Sequence, residues 1–346
     1  MNEPARSAGN NVSPTGRVHV IAEAGTNHGG AFDTARQLVD VARESGADSV
    51  KFQVIYPEGL YLPEFFVNGN YVANEVFAKR KAAMLSDDEW RRVADHARAN
   101  GIPLSASVFD KRGLDLLDEL DAPYIKIASC DLNNTPLLVE AAIRGRRLIL
   151  STGMSTLPEV ARAVTAVSQA GKFDLVLMHC VSVYPCPASQ MNLSFIDALK
   201  KEFGLPLGLS DHTEGSLASA IAVAKGVTWI EKHFTLDRSA VGFDHAYSME
   251  PDMLESYIAD IRASEAACSV PPEKVQTTEA GVRQRARRAL YAARDISPGE
   301  TISESDVLIV RPEGPISPED AGRVVGSRTR IQFRRFEPIT WEGLAA

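Results

Sequence analysis

Short apolar runs alternate along the chain with amphipathic stretches of helical period. The runs are VHVIAEAG (18–25), SVKFQ (49–53), PLSASVF (103–109), YIKIAS (124–129), RLILSTG (147–153), DLVLMHC (174–180), PLGLSDH (206–212) and WIEKHFT (229–235). They are rich in Val, Ile and Leu and lack clean two-residue alternation, the pattern of strands buried on both faces. Between them, AFDTARQLVDVARES (31–45) carries apolar residues at helical spacing, and TLPEVARAVTAVSQAG (156–171) opens on a Thr cap and closes on Gly. Eight strand–helix units in about 250 residues predict a (β/α)8 TIM barrel. An open doubly wound sheet would want a Gly-rich phosphate loop after its first strand, and EAGTNHGG lacks the GxGxxG spacing. The connection over 54–85 is long and holds aromatics, Asn and Gly, which marks it as a functional loop at the top face.

Beyond residue 268 the pattern changes. Residues 269–286 read as a linker, two prolines followed by polar and basic residues. Residues 287–346 hold short apolar runs separated by PGE, PEGP and Gly turns, a small β-rich module whose core is marginal unless it docks on something. Residues 1–16 are polar with no apolar h-region, so a disordered tail is expected there and not a signal peptide. The expected order is therefore tail (1–16), catalytic barrel (17–268), linker (269–286) and β-rich module (287–346).

Bulk properties narrow the function. The 346 residues are 45% apolar and 24% charged, ordinary for a soluble globular chain. A net charge of -8 gives no invitation to nucleic acid or an acidic membrane surface, and no run approaches the roughly 20 apolar residues of a membrane span. Positive charge for an anionic substrate must then be concentrated locally. Four cysteines without a CxxC pair make no disulfide scaffold, and a reduced cytoplasmic setting is expected.

Barrel enzymes place their chemistry where strands end. Here all eight strand ends are polar: Glu23, Asn27 and His28; Lys51 and Gln53; Ser105 and Ser107; Lys126, Ser129 and Asp131; Ser151 and Thr152; His179, Ser182 and Tyr184; Ser210, Asp211 and His212; Glu231, Lys232, His233 and Thr235. Two chemical sets emerge. His212 and His233, on successive strands, with Glu23 as a carboxylate, suit a Lewis-acid cation. His28, His179 and His245 are rival ligands, and Cys180 and Cys186 read as packing residues. Lys51, Lys126, Ser129, Ser151 and Thr152 suit a phosphate and a carboxylate, since lysines in a barrel mouth are costly unless an anion meets them. A Schiff base on Lys126 is the competing chemistry.

IAEAGTNHGG, SVKFQ, YIKIAS, LSTGM, LMHCVSVYP, GLSDHT and EKHFTLDR, in this order, resemble the sialic acid (N-acetylneuraminate) synthase family. ISPGETISESDVLIVRPEGPISP is similar to the antifreeze-like (SAF, β-clip) domain of the same enzymes, so the likeness covers residues 17–346. The resemblance implies condensation of phosphoenolpyruvate with N-acetylmannosamine or a related open-chain amino-sugar aldehyde, giving a nonulosonic acid and phosphate by C–O cleavage. It implies Mn²⁺, with Mg²⁺ or Co²⁺ as alternatives, on His212 and His233, and Glu23 as the catalytic carboxylate. Lys51, Gln53, Ser107, Lys126, Ser129, Ser151, Ser182, Tyr184, Ser210 and Asp244 would line the substrate sites. It also implies a swapped homodimer in which Arg311 reaches the partner's sugar.

Several positions depart from the family pattern: ASVF for STPF, ASCD (Cys130, Asp131) for GSGE, GFDH for GPDH at 242–245, RPEG (Glu313) for RPG, and Ser182 where some members carry Asn. None removes a metal or phosphate ligand, and several lie where the sugar would sit. The sugar therefore stays open among N-acetylmannosamine and the precursors of legionaminate, pseudaminate and Kdn. Two rival classes are a non-catalytic carbohydrate-binding relative and a metal-dependent barrel aldolase or hydrolase without phosphoenolpyruvate.

Overall fold

The computed structural model describes residues 17–171, 174–269 and 277–345, so the tail expected at 1–16 lies outside the described residues. Its strands are β1 (His19–Gly25), β2 (Ser49–Val54), β3 (Glu64–Val67), β4 (Asn70–Ala73), β5 (Leu104–Val108), β6 (Tyr124–Ile127), β7 (Arg147–Ser151), β8 (Leu175–Cys180), β9 (Leu207–Asp211), β10 (Trp229–His233), β11 (Ala289–Ala292) and β12 (Val307–Val310). Eight of them, β1, β2 and β5 to β10, close into one parallel barrel, with β10 returning to pair with β1. Each apolar run of the sequence supplies one barrel strand, and the TIM barrel expected from the pattern is the fold formed.

The helices follow from their own periodicity. The helix Phe32–Glu44 buries Ala35, Leu38, Val39 and Ala42, an i, i+3, i+4, i+7 stripe. The helix Asp87–Ala99 starts with a Ser86/Glu89 capping box and buries Trp90, Val93, Ala94 and Ala97. Such a cap contributes about 1 kcal/mol. The long connection after β2 is more ordered than its composition suggested. It holds a short helix (Pro57–Leu60), the antiparallel hairpin β3–β4 and a helix (Glu75–Ala82) whose first N–H groups are capped by the Asn74 side chain. Both faces of the hairpin are exposed, so no alternation betrays it in the sequence.

In a strand every second side chain faces the same way. His19, Ile21 and Glu23 therefore share the lumen with Ser49, Lys51 and Gln53, with Tyr124 and Lys126, and with Trp229, Glu231 and His233. The closed end is filled by Ile21, Tyr124, Ile149, Val176, Met178 and Trp229, a cluster separate from the larger apolar layer between strands and helices. Above it the lumen turns polar, and that change of character positions the site.

The chain divides into two units between Ser269 and Val270. The stretch expected to be a linker contains a helix, Thr277–Ala286, with Glu279 in its first turn and Arg283 and Arg285 in its last, the order that complements the helix dipole. In the second unit β11 and β12 pair antiparallel over a core that includes Leu290, Ile302, Phe333 and Ile339. Gly343 is required there, since a Cβ would lie 2.3 Å from the Phe333 ring. Among the described residues no helix is long and apolar enough to cross a membrane.

Candidate active site at the barrel mouth

Parity sorts the polar strand ends. Glu231 and His233 face the lumen, while Lys232 faces the helical layer, where it meets Asp211 Oδ2 at 3.3 Å and the carbonyl of Thr213. Asp211 also accepts from Ser219 and Tyr257, so this pair ties strand to helix and stands apart from chemistry. Thr152 is likewise spent on structure, its hydroxyl donating to Met178 O at 3.3 Å.

Four charged side chains interlock in the lumen. Lys51 Nζ lies 2.6 Å from Glu23 Oε2, 2.9 Å from Ser107 Oγ and 3.5 Å from Glu231 Oε2. Lys126 Nζ lies 3.4 Å from Glu231, which also accepts from Ser210 Oγ at 2.9 Å. All four charged side chains are at most 4% exposed. Two ammonium groups and two carboxylates offset each other, as buried charges must. Burial raises the Glu23 carboxyl to about 7, against the pull of Lys51, whereas Glu231, though buried, is held well below the usual carboxylate range by Lys126 and Lys51. Glu23 is thus poised to exchange a proton near neutrality and Glu231 is a fixed anion. Glu231 stood among the strand ends without a role; its parity with His233 was the signal that it faces the site.

Beside the charges is a cradle of donors. Ser129 Oγ accepts from Gly153 N–H at 3.0 Å. A Cβ on Gly153 would fall 2.6 Å from Ser182 Oγ and 2.7 Å from Ser129 Oγ, so the two hydroxyls converge on the space that glycine leaves free. Ser151 Oγ is buried and has no partner. Two converging hydroxyls, with a third left unpartnered on the neighbouring strand end, are donors of the kind an oxyanion requires.

His212 and His233 face each other across the mouth with ring centroids 5.6 Å apart. His212 Nδ1 lies 2.7 Å from Val181 O; a carbonyl only accepts, so Nδ1 donates there, and Nε2 lies 3.3 Å from Ser210 Oγ. Burial lowers His233 to about 4, which leaves it neutral, and its Nδ1 has no partner. An imidazole ligates a metal in its neutral form, and His233 is in that form. Among the described residues no group of three or more His, Cys, Asp or Glu is gathered closely enough to hold a cation. The pair fits an open site in which water and substrate complete the shell. Tyr184 packs on His212 at 4.0 Å, and Tyr247, from the loop after β10, lies 5.4 Å from His233 and donates to Asp244 Oδ1 at 2.5 Å. The other Asp244 oxygen is buried without a partner. Gln53 donates to Glu23 at 3.2 Å. Tyr247 went unnoticed in the sequence because loop residues follow no period.

The rival histidines are elsewhere. His179 points out of the lumen to Met191 O at 2.7 Å, and His245 is held by Thr235 at 2.7 Å under Gly242, whose Cβ would meet its ring. His28 stands beside Trp90 in a side cavity. Cys186 joins the apolar layer, but Cys180 lines the lumen 3.9 Å from His212 Nδ1. Arg311 lies exposed in the second unit, after β12.

A lumen that sets two buried lysines and a cluster of serine hydroxyls beside two facing imidazoles defines a barrel enzyme for an anionic substrate. Residues 38–271 match the NeuB family and residues 287–345 match the SAF domain. The chain belongs to the NeuB family, and it is an enzyme, a transferase of the sialic acid synthase type. It is 35% identical to an N,N'-diacetyllegionaminic acid synthase of Legionella pneumophila over 97% of this chain and 98% of that one. It is 31% identical to an N-acetylneuraminate-9-phosphate synthase of Drosophila melanogaster over 93% and 94% of the two chains. Among solved structures, the N-acetylneuraminic acid (sialic acid) synthetase of Leptospira borgpetersenii, in complex with citrate, is similar with a TM-score of 0.70 and 33% identity, covering 77% of this chain and 90% of that one.

Proposed function

We propose that the chain condenses phosphoenolpyruvate with the aldehyde of an open-chain N-acylated amino sugar, N-acetylmannosamine or a relative, giving a nonulosonic acid and phosphate. The observation that supports this best is the meeting in one lumen of the serine cradle and the facing histidine pair. Ser129, Ser151 and Ser182 hold the phosphate; Lys51, Lys126, Ser107 and Ser210 meet the carboxylate. His212 and His233 hold a divalent cation, Mn²⁺ foremost with Mg²⁺ or Co²⁺ as substitutes, which when bound supplies Lewis-acid polarisation of the aldehyde.

Glu23, fixed by Lys51 and Gln53, takes a proton from the water whose hydroxyl adds to the enol carbon, while the methylene carbon bonds to the aldehyde carbon and the aldehyde oxygen takes up a proton to become a hydroxyl. The resulting tetrahedral carbon loses phosphate by breaking its C–O bond as its own hydroxyl gives up a proton and becomes the keto group. Asp244, through its unpartnered oxygen, and Tyr184 orient the sugar. Holding both substrates in register supplies much of the rate. Arg311 completes the sugar site of the partner chain in a homodimer, reaching the acyl group on the sugar's first amino substituent. In protein freed of metal, phosphate release should require phosphoenolpyruvate, sugar and added cation together. His233→Ala should lower it by about a hundredfold or more, a few kcal/mol of barrier. Full activity without added cation would overturn the metal assignment.

A further inference from the structure

Asp244 enters the mouth from the loop after β10, and among the described residues its side chain is hydrogen-bonded by Tyr247 alone. The Tyr247 hydroxyl donates to Oδ1 at 2.5 Å, and Oδ2 is buried and unmet. Gly25, at the end of β1, shows where that free oxygen lies. Its φ of +55° is the left-handed conformation that glycine adopts without steric cost. A Cβ there would fall 2.8 Å from Asp244 Oδ2, 3.7 Å from Gln53 Nε2 and 3.7 Å from Glu23 Oε1. The hollow left by Gly25 is therefore bordered by the unmet oxygen, a side-chain amide and the carboxylate that takes the proton in the reaction above.

A carboxylate held only by its own chain would not keep this aim. The first side-chain torsion of an aspartate has three wells, and the second is broad and roughly two-fold. Tyr247 can supply the constraint because it is itself held. Its ring stands edge-on to His233 at 5.4 Å and 75°, and tilts against Tyr184 at 4.9 Å. The backbone from Asp244 to Tyr247 is one 3-10 turn, His245–Tyr247 with its cap. Ser248 closes that turn, donating from Oγ to Asp244 O at 2.6 Å and accepting from Asn27 Nδ2 at 3.3 Å. Asn27 follows β1, so the turn is tied to the same strand end as Gly25.

Charge decides which substrate meets the free oxygen. A carboxylate oxygen only accepts, so its partner must bring an O–H or N–H. Phosphoenolpyruvate brings anionic oxygens, which Oδ2 repels. An open-chain sugar brings hydroxyls.

We propose that Tyr247 is a positioning residue for the acceptor sugar. It holds Asp244 with one oxygen turned to the hollow at Gly25, where that oxygen accepts from a sugar hydroxyl. The phenol oxygen is spent on Asp244, so Tyr247 governs the grip on the sugar through the carboxylate. This rests on the condensation reading and adds to it a residue that sets sugar binding without setting that of phosphoenolpyruvate.

Tyr247→Phe deletes one oxygen and keeps the ring against His233 and Tyr184, so the fold stands. Phosphate release is measured in the full chain with Mn²⁺, phosphoenolpyruvate and, from a panel of N-acylated amino sugars, the acceptor that the unaltered chain uses best. The kcat/KM for the sugar should fall about tenfold or more, mainly through KM, with the KM for phosphoenolpyruvate changed by less than about threefold. In an Asp244→Ala chain the same substitution should change the sugar KM by less than about twofold, because the two residues act as one unit. Calorimetric binding of the sugar gives the same comparison if turnover in that background is too slow to follow. A sugar KM unchanged by Tyr247→Phe, a parallel rise in the KM for phosphoenolpyruvate, or an equal loss in both backgrounds overturns the inference and leaves the condensation standing. No phosphate release by the unaltered chain with any sugar of the panel overturns the condensation and the inference with it.

Discussion

Replacing Gly153 by alanine adds one methyl group in a conformation alanine adopts freely, because Gly153 is not among the positive-φ glycines. The new carbon would lie 2.6 Å from Ser182 Oγ, 2.7 Å from Ser129 Oγ and 3.2 Å from Cys180 Sγ. Carbon–oxygen contacts settle at about 3.3–3.6 Å, so each hydroxyl must withdraw by about 0.6 Å or more. Both hydroxyls can rotate, and the fold survives. Overpacking costs about 1–3 kcal/mol; the stiffer unfolded chain returns about 0.4–1 kcal/mol. Substrate binding suffers more, because two hydrogen bonds to an anion, each worth about 1.5–3 kcal/mol, are lost together. Initial rates of phosphate release should show the KM for phosphoenolpyruvate raised about a hundredfold or more, with the KM for the sugar changed by less than about threefold. An unchanged KM for phosphoenolpyruvate in a folded variant would refute the cradle.

Two further tests reach other parts of the chain. His19, at the closed end of the barrel, stacks on Trp229 at 4.1 Å and lies 2.9 Å from Ser49 Oγ. Burial, only partly opposed by Asp48, holds it at about 4, below its ordinary 6.5. The unfolded chain therefore binds a proton that the folded chain refuses, and stability, full above pH 6.5, should fall toward pH 4 by about 3 kcal/mol at most. Urea midpoints at about pH 7 and about pH 4.5 should differ less in His19→Gln than in the parent; an equal difference contradicts the assignment. For the dimer, Arg311→Ala and His212→Ala chains, each inactive alone, should regain phosphate release when mixed and allowed to exchange subunits. No rescue after proven exchange counts against a shared site.

The barrel was legible because strands buried on both faces leave a compositional mark, and each of the eight apolar runs became one barrel strand. The lumen side chains were legible as polar strand ends, but which of them share the lumen required the register. Glu231, Lys232 and His233 are consecutive, and only alternation separates the two that face the site from the one that braces a helix. Tyr247 and the exposed hairpin β3–β4 escaped, because they follow no hydrophobic period and their places are set by contacts such as Tyr247 to Asp244 and Gly30 against Ala83 that sequence spacing does not express. His28 was read as a rival metal ligand; its Nδ1 accepts from Gly30 N–H, and its ring stands beside Trp90 in a side cavity, apart from His212 and His233.

The central claim is that this mouth joins phosphoenolpyruvate to a sugar aldehyde with loss of phosphate from carbon. Phosphoenolpyruvate carrying a heavy-oxygen label in the bridge between carbon and phosphorus tests it most directly, with mass analysis of both products after one turnover on an amino-sugar acceptor. Condensation with C–O cleavage yields a nonulosonic acid without the label and phosphate that carries it. Label retained in the sugar acid, or phosphate released without a new carbon–carbon bond, would contradict it.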